Sequence, residues 1–443
     1  MKKILTFTLL LISLFVLGAC NFPVPGGNND NNNADPVALA APVVTVDESG
    51  LASWEAVEHA SGYIYKIGNG ADKLTTKTSV QLVAGESIVV KAKGDGKNYT
   101  DSEFSASVTY TVEEVPATVV GLPTPAAGYY MRDAEIIQDG DVRYLIYTTN
   151  KTVAEDDNVI AIRKADLTEE GWVYGAEVVV LEPSADGWDK YLGSASVVKG
   201  EFALNGETYN YLMAYQGTTQ SSGSASSIGL AVAKEIQGEW VKVGTAPVIA
   251  FDAKEHGLNM AGCYAPSVVN YTKVSGIRIF YSYADKYGHF AYFWDADLSD
   301  LSNIKGVKAL ITNEGGLSDG GAGGVMFPNA DFAYDSVNCV FYTVKDYSPA
   351  AASKPSFAER FELAHIAEEE LYTTDKGLGW VSDVLMDNFD LELDLEYERV
   401  YSACIVSDAY GHMLEGNIEI VYNTCMAGDD YLYTQKFLTY IHE

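Results

Sequence analysis

From Tyr129 onward the chain repeats one pattern: a short apolar run opened by small or polar residues, a turn, then a second run rich in Tyr, Ile and Val. The first copy is Arg132-Asp133-Ala134-Glu135-Ile136-Ile137, the turn Asp139-Gly140-Asp141, and Tyr144-Leu145-Ile146-Tyr147. β-Branched and aromatic runs flanking an Asp-Gly turn predict a β-hairpin. The pattern returns at Ser194-Ala195-Ser196-Val197-Val198, Ala265-Pro266-Ser267-Val268-Val269, Asn329-Ala330-Asp331-Phe332-Ala333 and Ser402-Ala403-Cys404-Ile405-Val406, each followed by a Tyr-containing apolar run. Aligned on Ala134, Ala195, Pro266, Ala330 and Ala403, the copies lie 61, 71, 64 and 73 residues apart. Five copies of a strand-and-turn unit predict an all-β, five-bladed β-propeller over residues 120–443. Within it, Phe357–Leu371 has helix-forming composition but no clean helical stripe, so it is assigned to a fourth-blade strand plus an insertion.

The chain ahead of the propeller changes character three times. Lys2-Lys3 and the apolar run Ile4–Leu17 read as a signal peptide, too short to span a membrane. Residues 21–41 are rich in Asn, Gly and Pro and read as a disordered tether. Residues 42–115 show short alternating runs, such as Gly62–Ile67 and Ser87–Lys93, with Gly-containing turns every eight to twelve residues, which predicts a β-sandwich. Residues 115–128 (VPATVVGLPTPAAG) form a Pro/Gly linker to the propeller.

Composition narrows the function. With 61 acidic against 29 basic residues the formal net charge is −32, which argues against nucleic acid, whose phosphates need clustered Lys and Arg. Beyond Cys20 the cysteines Cys263, Cys339, Cys404 and Cys425 show no metal-binding spacing; pairing in an exported chain and burial as small strand residues both fit them. The six His are scattered, no HExxH or GxSxG occurs, and residues 315–324 (GGLSDGGAGG) lack the Lys of a phosphate loop. Neither a metal nor a cofactor is expected.

A propeller gathers function where its innermost strands converge, so the first positions of each repeat are informative. Asp133 aligns with Ser194, Ala265, Asn329 and Ser402; Glu135 aligns with Ser196, Ser267, Asp331 and Cys404. Glu135 lies two residues beyond Asp133 and so on the same side of a regular strand. The register therefore predicts Asp133, Glu135 and Asp331 as converging carboxylates, the groups that acid–base chemistry on a glycosidic bond requires. Arg132, Ser194, Tyr264 and Asn329 fall beside them as substrate-binding candidates. His412, next to the turn at Gly411, is a candidate for the channel of the last blade. Glu314 and Asp319, in the Gly-rich loop before the fourth repeat, lie within reach of it in sequence.

Three resemblances extend this reading. Leu17-Gly18-Ala19-Cys20 resembles a bacterial lipobox, which implies cleavage and lipidation at Cys20 and a membrane-anchored exported protein. Trp54-Glu55-Ala56-Val57, Gly62-Tyr63, Lys91-Ala92 and Tyr99-Thr100-Asp101-Ser102 resemble bacterial fibronectin type III domains, which implies a spacer or weak binder with Trp54 in its core. Arg132-Asp133-Ala134-Glu135 with Tyr144–Tyr147, Ser227–Ala233 with Gly238-Glu239-Trp240, and Tyr264-Ala265-Pro266-Ser267-Val268 resemble the blades of glycoside hydrolase family 43. That resemblance implies a glycan substrate and an inverting mechanism with Asp133 as general base. The family's pKa-setting Asp and acid Glu do not carry over: Ser194-Ala195 and Ala265-Pro266 stand where an Asp-Pro is expected, and no Glu stands near Phe327–Ala330. The expected function is hydrolysis of glycosidic bonds in oligo- or polysaccharides, with non-catalytic glycan binding as the alternative.

Overall fold

The computed structural model describes residues 36–47, 50–83, 85–110, 119–155, 157–311, 316–317, 327–347, 350–371, 379–387 and 397–443. The predicted signal peptide, Cys20, most of the tether, and Glu314 and Asp319 lie outside the described residues. The chain forms two compact units, one of residues up to 45 with 53–80 and 88–108, the other of residues 46–52, 81–87 and 109–443.

The first unit is β-structure. Its four-stranded sheet runs Lys73–Thr75, Gly62–Ile67, Ser87–Lys93, Val108–Thr109 in spatial order. Along Ser87–Lys93 the side chains of Ile88, Val90 and Ala92 alternate inward and are fully buried, the period-two signature read from sequence. Trp54 is a core residue, as expected, with Tyr63 edge-on at 5.4 Å. Val37–Ala38, at the end of the predicted tether, pair in parallel with Tyr99–Thr100, so this stretch is ordered.

The second unit contains five antiparallel sheets, numbered here as blades one to five in chain order. Their innermost strands are Met131–Asp139, Tyr191–Leu204, Gly262–Asn270, Asp331–Asp335 and Arg399–Ile405. The second strands are Val142–Asn150, Glu207–Thr218, Gly276–Asp285, Val340–Asp346 and Ile418–Cys425. Blades two to four have four strands each, and blade five has three among the described residues. Blade one gains Val119–Val120 on its outer edge and Ser407–Asp408, in parallel, on its inner edge. Arg360–Ala367 is the third strand of blade four and Glu368–Leu371 a single helical turn.

The apolar core is five slabs rather than one centre. Ile137 and Ile146 of blade one pack with Val197 and Met213 of blade two. Leu212 and Leu230 pack with Ile277 and Ile279 between blades two and three. Phe280 and Phe293 meet Phe332 and Phe341 between three and four, with Phe280 stacked on Phe332 at 4.0 Å. Leu363 and Val344 meet Ile405 and Ile420 between four and five. Val421 and Phe437 meet Leu145 and Tyr147, returning from five to one. Every sheet is thus covered by its two neighbours in sequence and the ring is closed, which is the predicted propeller. Among the described cysteines, Cys263, Cys404 and Cys425 are buried and unpaired, and Cys339 is exposed and unpaired.

The candidate site at the channel mouth

Four of the five innermost strands begin with a bulge. Pairing with the second strand skips residues between Arg132 and Glu135, Leu192 and Ala195, Tyr264 and Ser267, and Tyr401 and Cys404. Four of the five head residues, Asp133, Ala265, Asn329 and Ser402, adopt the left-handed conformation, with φ of 55°, 47°, 49° and 47°. Such a bulge re-aims a side chain out of the regular alternation. It separates the two carboxylates that a regular strand would set on one side.

Glu135 turns to the next blade. Its carboxylate accepts the Ser196 hydroxyl at 2.9 Å and the Val197 N–H at 3.0 Å. The equivalent residues do the same around the ring. The Val268 N–H donates to Ser196 Oγ at 2.9 Å, the Phe332 N–H to Ser267 Oγ at 2.9 Å, and the Ile405 N–H to Asp331 Oδ2 at 2.7 Å. The circle ends at Cys404, whose sulfur takes the Ile136 N–H of blade one. Burial, reinforced by Asp331, pushes the Glu135 carboxyl well above the usual carboxylate range, and burial raises Asp331 to about 6. The structure engages both the Glu135 and Asp331 carboxyls in tying neighbouring blades together. The cavity they border, of about 30 Å³, is wide enough only for water.

A second ring lies nearer the mouth, formed by polar residues near the ends of the second strands. Asn423 Oδ1 accepts the Asp133 N–H at 2.9 Å, and its amide donates to the Met131 carbonyl at 2.9 Å. Gln216 Oε1 accepts the Ser194 hydroxyl at 3.2 Å and the Ala265 N–H at 3.4 Å. Asp346 Oδ1 accepts the Ser402 N–H at 3.0 Å, and its Oδ2 accepts the Asn329 amide at 2.7 Å. Asn329 and Ser194 therefore brace this ring. Tyr264 has its hydroxyl buried against Ser282 and pushed up by that burial and by Asp346. Asp346, missed in the sequence, is raised to about 7 by burial, against the hydrogen bonds from Asn329 and Ser402 and the Lys345 charge, with the Asp133 charge a smaller addition.

At the mouth the structure brings Asp133 and Arg132 together. A cleft of about 410 Å³ opens there between blades one, two and five. Arg132, Asp133, Tyr191, Gln216, Tyr401 and Tyr431 line it, with the Ser221–Gly223 loop as one rim. Arg132 Nε stands 3.7 Å from Asp133 Oδ2 and its guanidinium lies over the Tyr130 ring. Burial, and then the Asp133 charge, pushes the Tyr401 hydroxyl well above its usual range. Phe357 stacks on Tyr401 at 4.2 Å, and Tyr431 meets Phe357 edge-on. The wall is aromatic and the floor is polar.

The opposite end of the channel is stoppered. Residues 407–413, following the last innermost strand, cross under the first four blades. Ala409 O accepts the Lys199 N–H at 2.6 Å, Tyr410 O the Asn270 N–H at 2.9 Å, and Gly411 O the Tyr334 N–H at 3.0 Å. His412 is buried here, its Nε2 3.0 Å from the Asn270 carbonyl oxygen, far along the strands from Asp133. The channel is a blind pit approached from the Asp133 side.

Fold and site together define a five-bladed propeller with one acidic, tyrosine-walled cleft at a channel mouth. Its chain path is similar to that of solved structures at low identity. A glycoside hydrolase matches at 12% identity and a TM-score of 0.47, over 75% of this chain and 92% of that one. The α-L-arabinofuranosidase from Lactobacillus brevis matches at 12% and 0.46, over 70% and 90%. Zg3597, a family 117 glycoside hydrolase from Zobellia galactanivorans, matches at 14% and 0.45, over 70% and 83%. No family profile and no curated protein matches the sequence.

Proposed function

We propose that this chain is an exported, lipid-anchored carbohydrate-active protein whose cleft at Asp133 takes up a glycan. One observation carries the reading: the cleft joins an aromatic wall, Tyr401 and Tyr431, to neutral hydrogen-bonding groups, the Arg132 guanidinium and a single carboxylate, Asp133. Sugar rings present that combination in reverse, an apolar face edged by hydroxyls. Binding without turnover is what this geometry favours. Inverting hydrolysis needs a second carboxyl about 6.5–9.5 Å from the base, across the scissile bond, and among the described residues lining the cleft Asp133 is the one carboxyl.

Hydrolysis is the second reading, with Asp133 as general base. It is favoured by the Arg132-Asp133-Ala134 motif and its resemblance to glycoside hydrolase family 43, and it requires an acid from outside the described cleft lining. A glycan array followed by hydrolysis assays on whatever binds separates the two: product release from a bound glycan establishes turnover, and binding with no product establishes the first reading. Failure to bind any glycan contradicts both.

A further inference from the structure

The mouth side of the ring carries a second aromatic feature, outside the cleft, on blade three. The second strand of that blade ends there at Asp285, and the hairpin tip of residues 285–288 lifts the Tyr287 ring into solvent, 72% exposed. The tip itself is fixed. Asp285 Oδ1 accepts the Tyr287 N–H at 2.8 Å and the Gly288 N–H at 3.2 Å. The Lys286 N–H donates to the His256 carbonyl at 3.0 Å, and His256 Nδ1 stands 3.0 Å from Asp285 Oδ2. The His256 ring is edge-on to both Tyr283 and Tyr287. Leu258, two residues on, is 52% exposed. An aromatic side chain on a backbone already held by four such contacts gives up little freedom when a ligand settles on it.

This ledge is continuous with the cleft. The rim of residues 221–223 runs into Ala225 and Ser226, whose N–H groups donate to the Met260 and Ala261 carbonyls at 2.7 Å and 2.9 Å. The Cys263 N–H returns a bond to the Ser226 carbonyl at 2.8 Å. Gly262 permits so close an approach: its φ is 82°, and a Cβ there would stand 2.5 Å from the Ser226 carbonyl oxygen. The loop that bears His256 and Leu258 is therefore bonded directly to the loop that rims the cleft.

We propose that the ledge is a distal subsite for the same ligand: a glycan with one residue in the cleft at Asp133 crosses the rim on blade two and lays a further residue on Tyr287. The inference rests on the cleft being the glycan site, and it narrows the ligand class to oligosaccharides of several residues. The cleft lies between blades one, two and five and the ledge on blade three, so a single sugar or a disaccharide does not reach both. The Tyr287 ring suits the apolar face of a sugar. His256 Nε2, the ring nitrogen turned away from Asp285, supplies a hydrogen-bonding group for the hydroxyls at its edge.

The test compares ligand lengths. Arabinobiose, arabinohexaose, xylobiose and xylohexaose are titrated by calorimetry against the unmutated protein, Tyr287→Ala and Tyr287→Phe. The hexaose of the sugar that binds is expected to bind more tightly than its biose. The ratio of the two affinities is expected to fall roughly 2- to 12-fold in Tyr287→Ala, the worth of one aromatic contact, and to be kept in Tyr287→Phe, which retains the ring. Equal affinity for hexaose and biose in the unmutated protein, a comparison that needs no variant, overturns the distal subsite. So does a ratio unmoved by Tyr287→Ala. In both cases the biose still binds and the cleft reading stands. Binding of neither sugar at either length counts against the cleft reading itself, and the distal subsite falls with it.

Discussion

Asp133 and Glu135 stand two residues apart on one strand, yet a left-handed bulge gives their carboxyls different work. Asp133 faces the cleft; Glu135 and its counterpart Asp331 accept backbone N–H groups of the next blade. An amide keeps such an acceptor and removes the cost of a buried charge. Glu135→Gln and Asp331→Asn are therefore expected to bind glycan as the unmutated protein does and to lose no thermal stability at pH 8. Asp331→Ala, which strands the Ile405 N–H, is expected to cost about 1–3 kcal/mol in denaturant unfolding. Loss of glycan binding in Asp331→Asn would return that carboxylate to the site. The sequence register did place Asp133 and the alignment of five heads, because repeats of one hairpin keep equivalent residues equivalent. It did not show that the Glu135 carboxyl turns to the next blade, because strand alternation alone does not reveal a bulge. Asp346 was legible only by aligning the ends of the second strands, where Gln216, Ser282, Asp346 and Asn423 stand as polar residues near the close of apolar runs.

At the scale of elements, the five hairpins announced themselves through β-branched and aromatic runs, while the stopper of residues 407–413 did not. It is held by backbone bonds to four blades, and backbone groups leave no mark in side-chain pattern. One residue does mark it. Gly411 has φ of 77°, and a Cβ there would stand 2.6 Å from the Val268 carbonyl oxygen. Left-handed backbone alone costs a non-Gly residue about 1–2 kcal/mol, and the carbonyl contact adds to it. Gly411→Ala is expected to lower unfolding stability by at least that amount, with glycan binding at the other end of the channel retained if the protein is kept folded. A urea midpoint unchanged by the substitution would mean that the stopper does not help to hold the ring.

For the whole molecule, acidity and burial act together. Burial holds Asp331 at about 6 and Asp346 at about 7, both above their ordinary value of 3.8, and holds Glu135 higher than its own. A raised carboxyl contributes stability that is full below its unfolded pKa and is lost as pH rises through the folded one. The propeller should thus lose stability between about pH 4 and pH 7, and the net charge of −32 adds self-repulsion in the same direction. Carboxyls lowered by hydrogen bonds, such as Asp95 at about 2, act in the opposite sense only in more acidic solution. Thermal melting followed from pH 4.5 to 8.5 is expected to fall toward the alkaline end, and a rise would mean that the inner carboxyls are ionised in the folded state. Anchoring belongs to the same scale: Cys20→Ala is expected to move the protein from the detergent phase to the aqueous phase or leave it unprocessed, and unchanged partitioning would refute lipidation at Cys20.

The central claim is that the cleft at Asp133 takes up a glycan, and its most direct measurement is the affinity of a glycan selected on an array for the unmutated protein and for Asp133→Asn. The substitution keeps size and shape and removes one charged hydrogen-bonding partner, worth about 1.5–3 kcal/mol. The predicted result is saturable binding weakened by roughly 10- to 150-fold in Asp133→Asn. Equal affinity in the two proteins, or no glycan bound by either, would contradict the account.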